Sequence, residues 1–174
     1  MSQLFIVSVV CPDRTGLIAA LAECLFDLGA NLGDAAFAVL GRGAEFSAVC
    51  DMPDGIAPAA VEAALKALPE TEGGEVSVRA FAFAAEQDHT GRTTHAIEVG
   101  GGDRPGLVAR LAEVFQQYGA NIVRLNSTRS GRGSAASYLV RIAAYIPEET
   151  SASCLNTVAN TAGELGLTCR IDPV

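Results

Sequence analysis

Ninety residues apart, this chain repeats itself. Asp13-Arg14-Thr15-Gly16-Leu17-Ile18 returns as Asp103-Arg104-Pro105-Gly106-Leu107-Val108. Leu21-Ala22-Glu23 returns as Leu111-Ala112-Glu113, and Gly29-Ala30-Asn31-Leu32 as Gly119-Ala120-Asn121-Ile122. Gly41-Arg42-Gly43 has its copy in Gly131-Arg132-Gly133. The register holds from Asp13 to Gly43 without insertion or deletion, so two copies of one unit are expected. A long series of short repeats would stack into a solenoid. With two copies, each long enough for its own core, the expectation is a tandem pair of domains. They span residues 1–85 and 93–174, joined by a polar linker over 86–92.

Each copy begins with an apolar run of strand type. In Gln3–Val10 it is nearly continuous, which predicts burial on both faces at a sheet centre. From Gly16, apolar residues recur at helical spacing: Leu17, Ile18, Leu21, Leu25, Leu28, and in the second copy Leu107, Val108, Leu111, Val114, Phe115, Tyr118. Both stripes stop at a glycine, Gly29 or Gly119, where a left-handed cap residue is expected. Strand-like pairs then flank each Gly-Arg-Gly turn, 34–40 with 44–51 and 123–129 with 135–146, reading as hairpins. Second helices are predicted over 58–68 and 147–165, each starting near a proline. Closing strands are predicted over 75–84 and 167–172. The order is βαββαβ twice, an α+β chain of two ferredoxin-like domains.

Composition narrows the function classes. About half of the 174 residues, 49%, are hydrophobic, enough for a core in each half. Domains of roughly 80 residues are only modestly self-sufficient, so docking of one copy on another or dimerisation is expected. The net charge of −8 opposes direct binding to a phosphate backbone. No stretch approaches the roughly 18 apolar residues of a membrane span. From its opening residues no signal segment is expected. The five cysteines, Cys11, Cys24, Cys50, Cys154 and Cys169, form no CxxC pair. They read as reduced thiols of a cytoplasmic protein, with no metal and no cofactor implied.

The repeated helix start is the chemical signal. A helix N-terminus carries unpaired amides and partial positive charge, a seat for a carboxylate. Gly16 and Gly106 let a ligand approach the backbone there. Asn31 and Asn121 offer donor and acceptor together, and Asp13 and Asp103 can accept from an ammonium. Together these form a candidate site for a zwitterion. The same residues also have structural readings. An Asp at a helix start is a good N-cap, glycine permits close packing, and Asn after Gly suits a turn.

The signature Asp-Arg-Pro-Gly-Leu, the apolar stripe after it and Gly-Ala-Asn-Ile, in a βαββαβ frame, resemble the ACT domain. The resemblance covers nearly the whole chain in two copies. It implies a regulatory module that pairs sheet edge to sheet edge and binds an amino acid at the interface. The implied ligand positions are Asp13, Gly16, Leu17 and Asn31, with Asp103, Gly106, Leu107 and Asn121. Asn31-Leu32-x-Asp34 followed by Phe37-x-x-Leu40-Gly41 and Phe46 is most similar to the glycine cleavage system transcriptional repressor group. That similarity implies a regulator that senses glycine and acts through a partner protein that itself binds DNA. The leading expectation is a non-enzymatic homodimer responding to an amino acid, glycine or serine, through a DNA-binding regulator protein, and the acidic charge suits that indirect route.

Two rivals stay open. One is an interaction module that binds no metabolite, suggested by Asp13 and Asp103, where many amino-acid-binding relatives carry Asn. The other is a small hydrolase on the same fold. Neither His89 nor His95 has a neighbouring Ser, Cys or acid at a spacing that suggests a triad. Cys11 precedes the helix-start loop, where a thiol can be activated or simply buried. Arg42 and Arg132 occupy matched hairpin tips, either to grip a partner's acids or to sit in solvent.

Overall fold

The computed structural model describes residues 3–84, 88–131 and 136–174. The chain divides into two compact units, Met1–Ala85 and Glu86–Val174. In the first, strand β1 (Gln3–Pro12) leads into helix α1 (Leu17–Asp27), then strands β2 (Asn31–Leu40) and β3 (Gly43–Met52). Helix α2 (Pro58–Lys66) and strand β4 (Glu75–Ala80) complete it. The second repeats the order with β5 (His95–Gly102), α3 (Leu107–Gln117), β6 (Asn121–Ser130), β7 (Ser137–Tyr145), α4 (Glu148–Glu164) and β8 (Thr168–Pro173). The sheets run β2-β3-β1-β4 and β6-β7-β5-β8, antiparallel throughout. This is the α+β, ferredoxin-like pattern expected of each copy.

The helix ends follow from single residues. After α1, Gly29 adopts φ 78°. Its N–H donates to the Phe26 carbonyl at 2.8 Å, and the Ala30 N–H reaches back to Leu25 at 2.9 Å. This pair of bonds is a Schellman cap, which satisfies carbonyls that the last turn leaves open. Gly119 (φ 67°) and Ala120 close α3 in the same way on Gln116 and Phe115. Pro58 is the first residue of α2, where its missing N–H costs nothing. Pro147 instead caps α4 from outside the helix.

Each core lies between one sheet face and its two helices. In the first unit Leu17, Leu21 and Leu25 of α1 pack with Phe5, Val7, Val9, Phe46, Cys50, Val61 and Leu65. In the second, Leu107, Leu111 and Phe115 pack with Ile97, Val99, Val140, Ile142, Cys154 and Val158.

Burial on both faces of β1 is not what the structure has. The strand is central, between β3 and β4, but only Phe5, Val7, Val9 and Cys11 are buried. Both helices cover the same face, so Val10 on the other is 53% exposed. The closing strand of the first unit also stops early, at Ala80 and not Ala84. Its partner β1 begins at Gln3, and the Phe81 N–H takes the last available carbonyl, Leu4 at 2.8 Å. The tip of the second hairpin, Arg132 and Gly133, and the expected strand start at Ala135 lie outside the described residues. So do linker residues Glu86 and Gln87, while His89–Gly91 form a single 3₁₀ turn.

Where each closing strand begins, one glycine fits closely against its neighbour. A Cβ on Gly74, just before β4, would lie 2.4 Å from the Cys11 Cβ and 2.6 Å from the Val10 carbonyl oxygen. In the second unit the small residue is on the central strand. A Cβ on Gly101 of β5 would lie 2.7 Å from the Leu167 side chain, just before β8.

Candidate ligand-binding site

Both helix starts share one geometry. Gly16 and Gly106 are the N-cap residues, left-handed at φ 90° and φ 84°, and neither helix has a side-chain cap. Asp13 and Asp103 therefore do not cap α1 and α3; they stand three residues before the glycines. The Leu17 N–H turns back to the Arg14 carbonyl at 3.3 Å, and the Leu107 N–H to Arg104 at 3.2 Å. Both leucine side chains are core, at 2% and 1% exposure. The next amides have no partner within the helix, by the geometry of any helix start.

The structure does not gather the four candidate residues of one copy. Asp13 and Gly16 lie at the start of α1, and Asn31 lies beyond its end. The eleven residues of α1 span about 16 Å at 1.5 Å per residue. The same separation holds across α3 in the second unit.

Two arginines, repeated inside the motif but not singled out from sequence, hold the loop in place. The Arg14 guanidinium donates to the carbonyls of Pro69 and Glu72, the latter at 3.0 Å. The Arg104 Nε donates to the Leu165 carbonyl at 3.0 Å. Each pins the helix-start loop to the chain beyond the second helix of its own unit. Their recurrence at matched offsets was the available signal.

Beyond this frame the copies differ. Asp103 forms an ion pair with Arg129 at 2.7 Å. The matching residue in the first copy is Val39, and Asp13 has no salt bridge among the described residues. The Asn121 side-chain amide donates to the Thr90 carbonyl at 2.9 Å, and Tyr145 stands opposite it across the β6–β7 pair. Opposite Asn31 in the β2–β3 pair stands Asp51. The Asp51 Oδ1 is buried and has no hydrogen-bond partner. Sequence periodicity gave no hint of Asp51; only strand register places it beside Asn31.

The β2 edge of the first unit is open. All of Asn31–Leu40 is exposed except the half-buried Ala38, including Phe37 at 44% and Leu40 at 59%. At the hairpin end of this strand the Asp13 N–H donates to the Arg42 carbonyl at 3.1 Å. A cleft of about 660 Å³ there is lined by Asp13, Arg42, Glu75 and Cys11. Cys11 itself is buried, and burial pushes its thiol up more than the Arg14 charge pulls it down. That is an inert thiol and not an activated one.

His95 meets a serine that sequence spacing did not reveal. Its Nε2 lies 3.5 Å from Ser151 Oγ, and its Nδ1 lies 2.9 Å from Thr94 Oγ1. Thr94 Oγ1 donates to the Ala144 carbonyl and accepts from the Ile146 N–H. The ring is backed by a hydroxyl that already serves the backbone, and not by a carboxylate. The arrangement ties the start of β5 to the first turn of α4 and lacks the orienting acid of a triad. No group of metal-ligating side chains occurs among the described residues. No described helix is long and apolar enough to cross a membrane.

The ACT domain family matches residues 3–79 and, separately, residues 95–147. No curated protein sequence matches the chain. Among solved structures, a protein of unknown function from Galdieria sulphuraria is similar, with a TM-score of 0.77 at 21% identity over 100% of this chain and 99% of that one. A candidate glycine cleavage system transcriptional repressor is similar too, with a TM-score of 0.65 at 13% identity over 100% and 98%. At these identities the likeness speaks for the fold. With both halves matched and both folded alike, the chain belongs to the ACT-domain family, as two such domains in tandem.

Proposed function

We propose that this protein is a non-enzymatic regulator that binds an amino acid where two copies of the chain pair along β2. The observation that carries this reading is the exposed apolar edge of β2, which begins at Asn31 and ends beside the Asp13 loop. Edge strands pair readily. Two-fold pairing of β2 with β2 runs the strands antiparallel. The start of one then lies beside the end of the other. Asn31 of one copy thereby meets the Asp13–Gly16 loop of the second, which removes the separation imposed by α1. A zwitterion suits the combined ends. Its carboxylate takes the open amides after Gly16, and its ammonium takes the amide and acid side chains. Occupancy then shifts the paired arrangement presented to a further protein.

The first unit holds four basic residues against eleven acidic ones, the second eight against nine. An acidic first unit fits work through a DNA-binding partner protein better than contact with DNA. Glycine and serine are the first ligands to try, after the relatives of this fold.

The test is a thermal-shift screen against the twenty amino acids, with sedimentation to follow oligomeric state. A ligand of the folded state stabilises by about 2.7 kcal/mol at a hundredfold excess over Kd. A dose-dependent rise with one or two amino acids, and a dimer, are the expected results. A flat panel on ligand-free protein would overturn the sensor and favour a metabolite-free interaction module.

A further inference from the structure

We propose that the two copies have diverged, so that only the first receives the ligand's ammonium group, held between Asn31 and Asp51. The proposal rests on the amino-acid reading above and adds a residue and an asymmetry to it.

Asp51 and Asn31 are direct cross-strand partners, and such partners share a sheet face with Cβ atoms about 4.5–5.5 Å apart. The Asp51 Oδ1 is buried and unpartnered. A buried carboxylate oxygen without a donor is costly, because it has given up water and gained nothing. A primary ammonium is a compact cation with three donors. Set beside this pair, it can give one hydrogen to Asp51 and one to the Asn31 carbonyl oxygen, leaving a third for its second site partner. Asn31, its strand partner, is exposed.

The second copy has no such vacancy. Tyr145 replaces the acid opposite Asn121. Its ring meets His89 edge-on at 5.7 Å between centroids. The Asn121 amide is occupied by the Thr90 carbonyl. The 3₁₀ turn His89–Gly91 thus lies over this end of the second unit and is held there by the residue that would otherwise contact a ligand. At the opposite end Asp103 is neutralised by Arg129, where the first copy has an apolar Val39. Among the described residues, the first copy leaves Asp51 Oδ1 without a donor and Asp13 without a salt bridge, while the second pairs Asp103 and Asn121 internally.

The experiment is isothermal titration of the full chain with whichever of the twenty amino acids stabilise it in the thermal-shift screen. The expected result is one ligand bound per chain. D51N, which keeps the shape and removes the charge, weakens binding at least tenfold, as does N31A at an exposed position. N121A and D103N leave affinity within twofold of the wild type. Methylamine, which keeps the ammonium alone, competes weakly with the wild type and not with D51N. Two ligands per chain, or D51N within threefold of the wild type, would overturn the divergence while leaving amino-acid binding intact. If no amino acid stabilises the wild type, the function itself fails and this proposal with it.

Discussion

Replacing Gly16 by alanine isolates the backbone conformation on which the helix start depends. Gly16 sits at φ 90° with no atom within 4 Å of where a Cβ would stand, so nothing is crowded. The cost is conformational. A Cβ in left-handed backbone costs about 1–2 kcal/mol per residue, and the stiffer unfolded chain returns about 0.4–1 kcal/mol. The net loss is about 1 kcal/mol. For a domain of this size that lowers the melting temperature by about 4–8 °C. Gly163 gives the opposite sign. It lies inside α4, has equally open space, and its φ is not positive. Gly163→Ala should therefore stabilise by about 0.5–1 kcal/mol through helix propensity alone. Urea denaturation followed by circular dichroism measures both, as shifts of the midpoint at constant slope. If Gly16→Ala matched or exceeded wild-type stability, the left-handed cap would not be what the loop requires.

Leu21→Ala, at a fully buried position on α1, should cost about 2–5 kcal/mol by creating a cavity, measured in the same urea series. Glu62 accepts from Lys66 Nζ at 2.5 Å and from the Val78 N–H at 3.2 Å, and these bonds hold its carboxyl below the ordinary glutamate range. Its contribution to stability is thus present above that ordinary range and is lost as pH falls through the lower folded value. The stability gap between wild type and Glu62→Gln should close over that fall, and a gap independent of pH would contradict it. The half-buried Cys24 and Cys169 should react with a thiol-labelling disulfide in the native protein before Cys11, Cys50 and Cys154, which are buried. Burial pushes the thiols of all five up, so labelling should quicken as pH rises.

The fold was legible wherever a single residue type decides the local backbone. Gly29 and Gly119 marked helix ends because only a left-handed cap closes both carbonyl sets. The stripe Leu17, Leu21, Leu25 marked the buried face of α1 because one turn and the next must face the same core. The two-sided burial expected of β1 failed because apolar content does not say on which face the helices lie. Ile6 and Val10 read like core and face the uncovered side. Candidate positions shared by the copies could be listed from the repeat, but not their surroundings. Asp51, Arg129 and Thr90 act across strands or turns whose registry no local pattern records.

The two tight glycines bear on how a duplicated chain folds. Cys11 and Gly74 meet at the β1–β4 pair, and Gly101 and Leu167 at the β5–β8 pair, with small and large residues on opposite members. Tandem copies of one frame can misassemble by exchanging strands during folding. Here exchange would press Leu167 onto Cys11, an overfilled contact of the kind that costs about 1–3 kcal/mol. It would also leave Gly74 facing Gly101 across a gap. A closing strand docked on the wrong sheet would therefore meet either a clash or a hole, a difference set by the size of one residue.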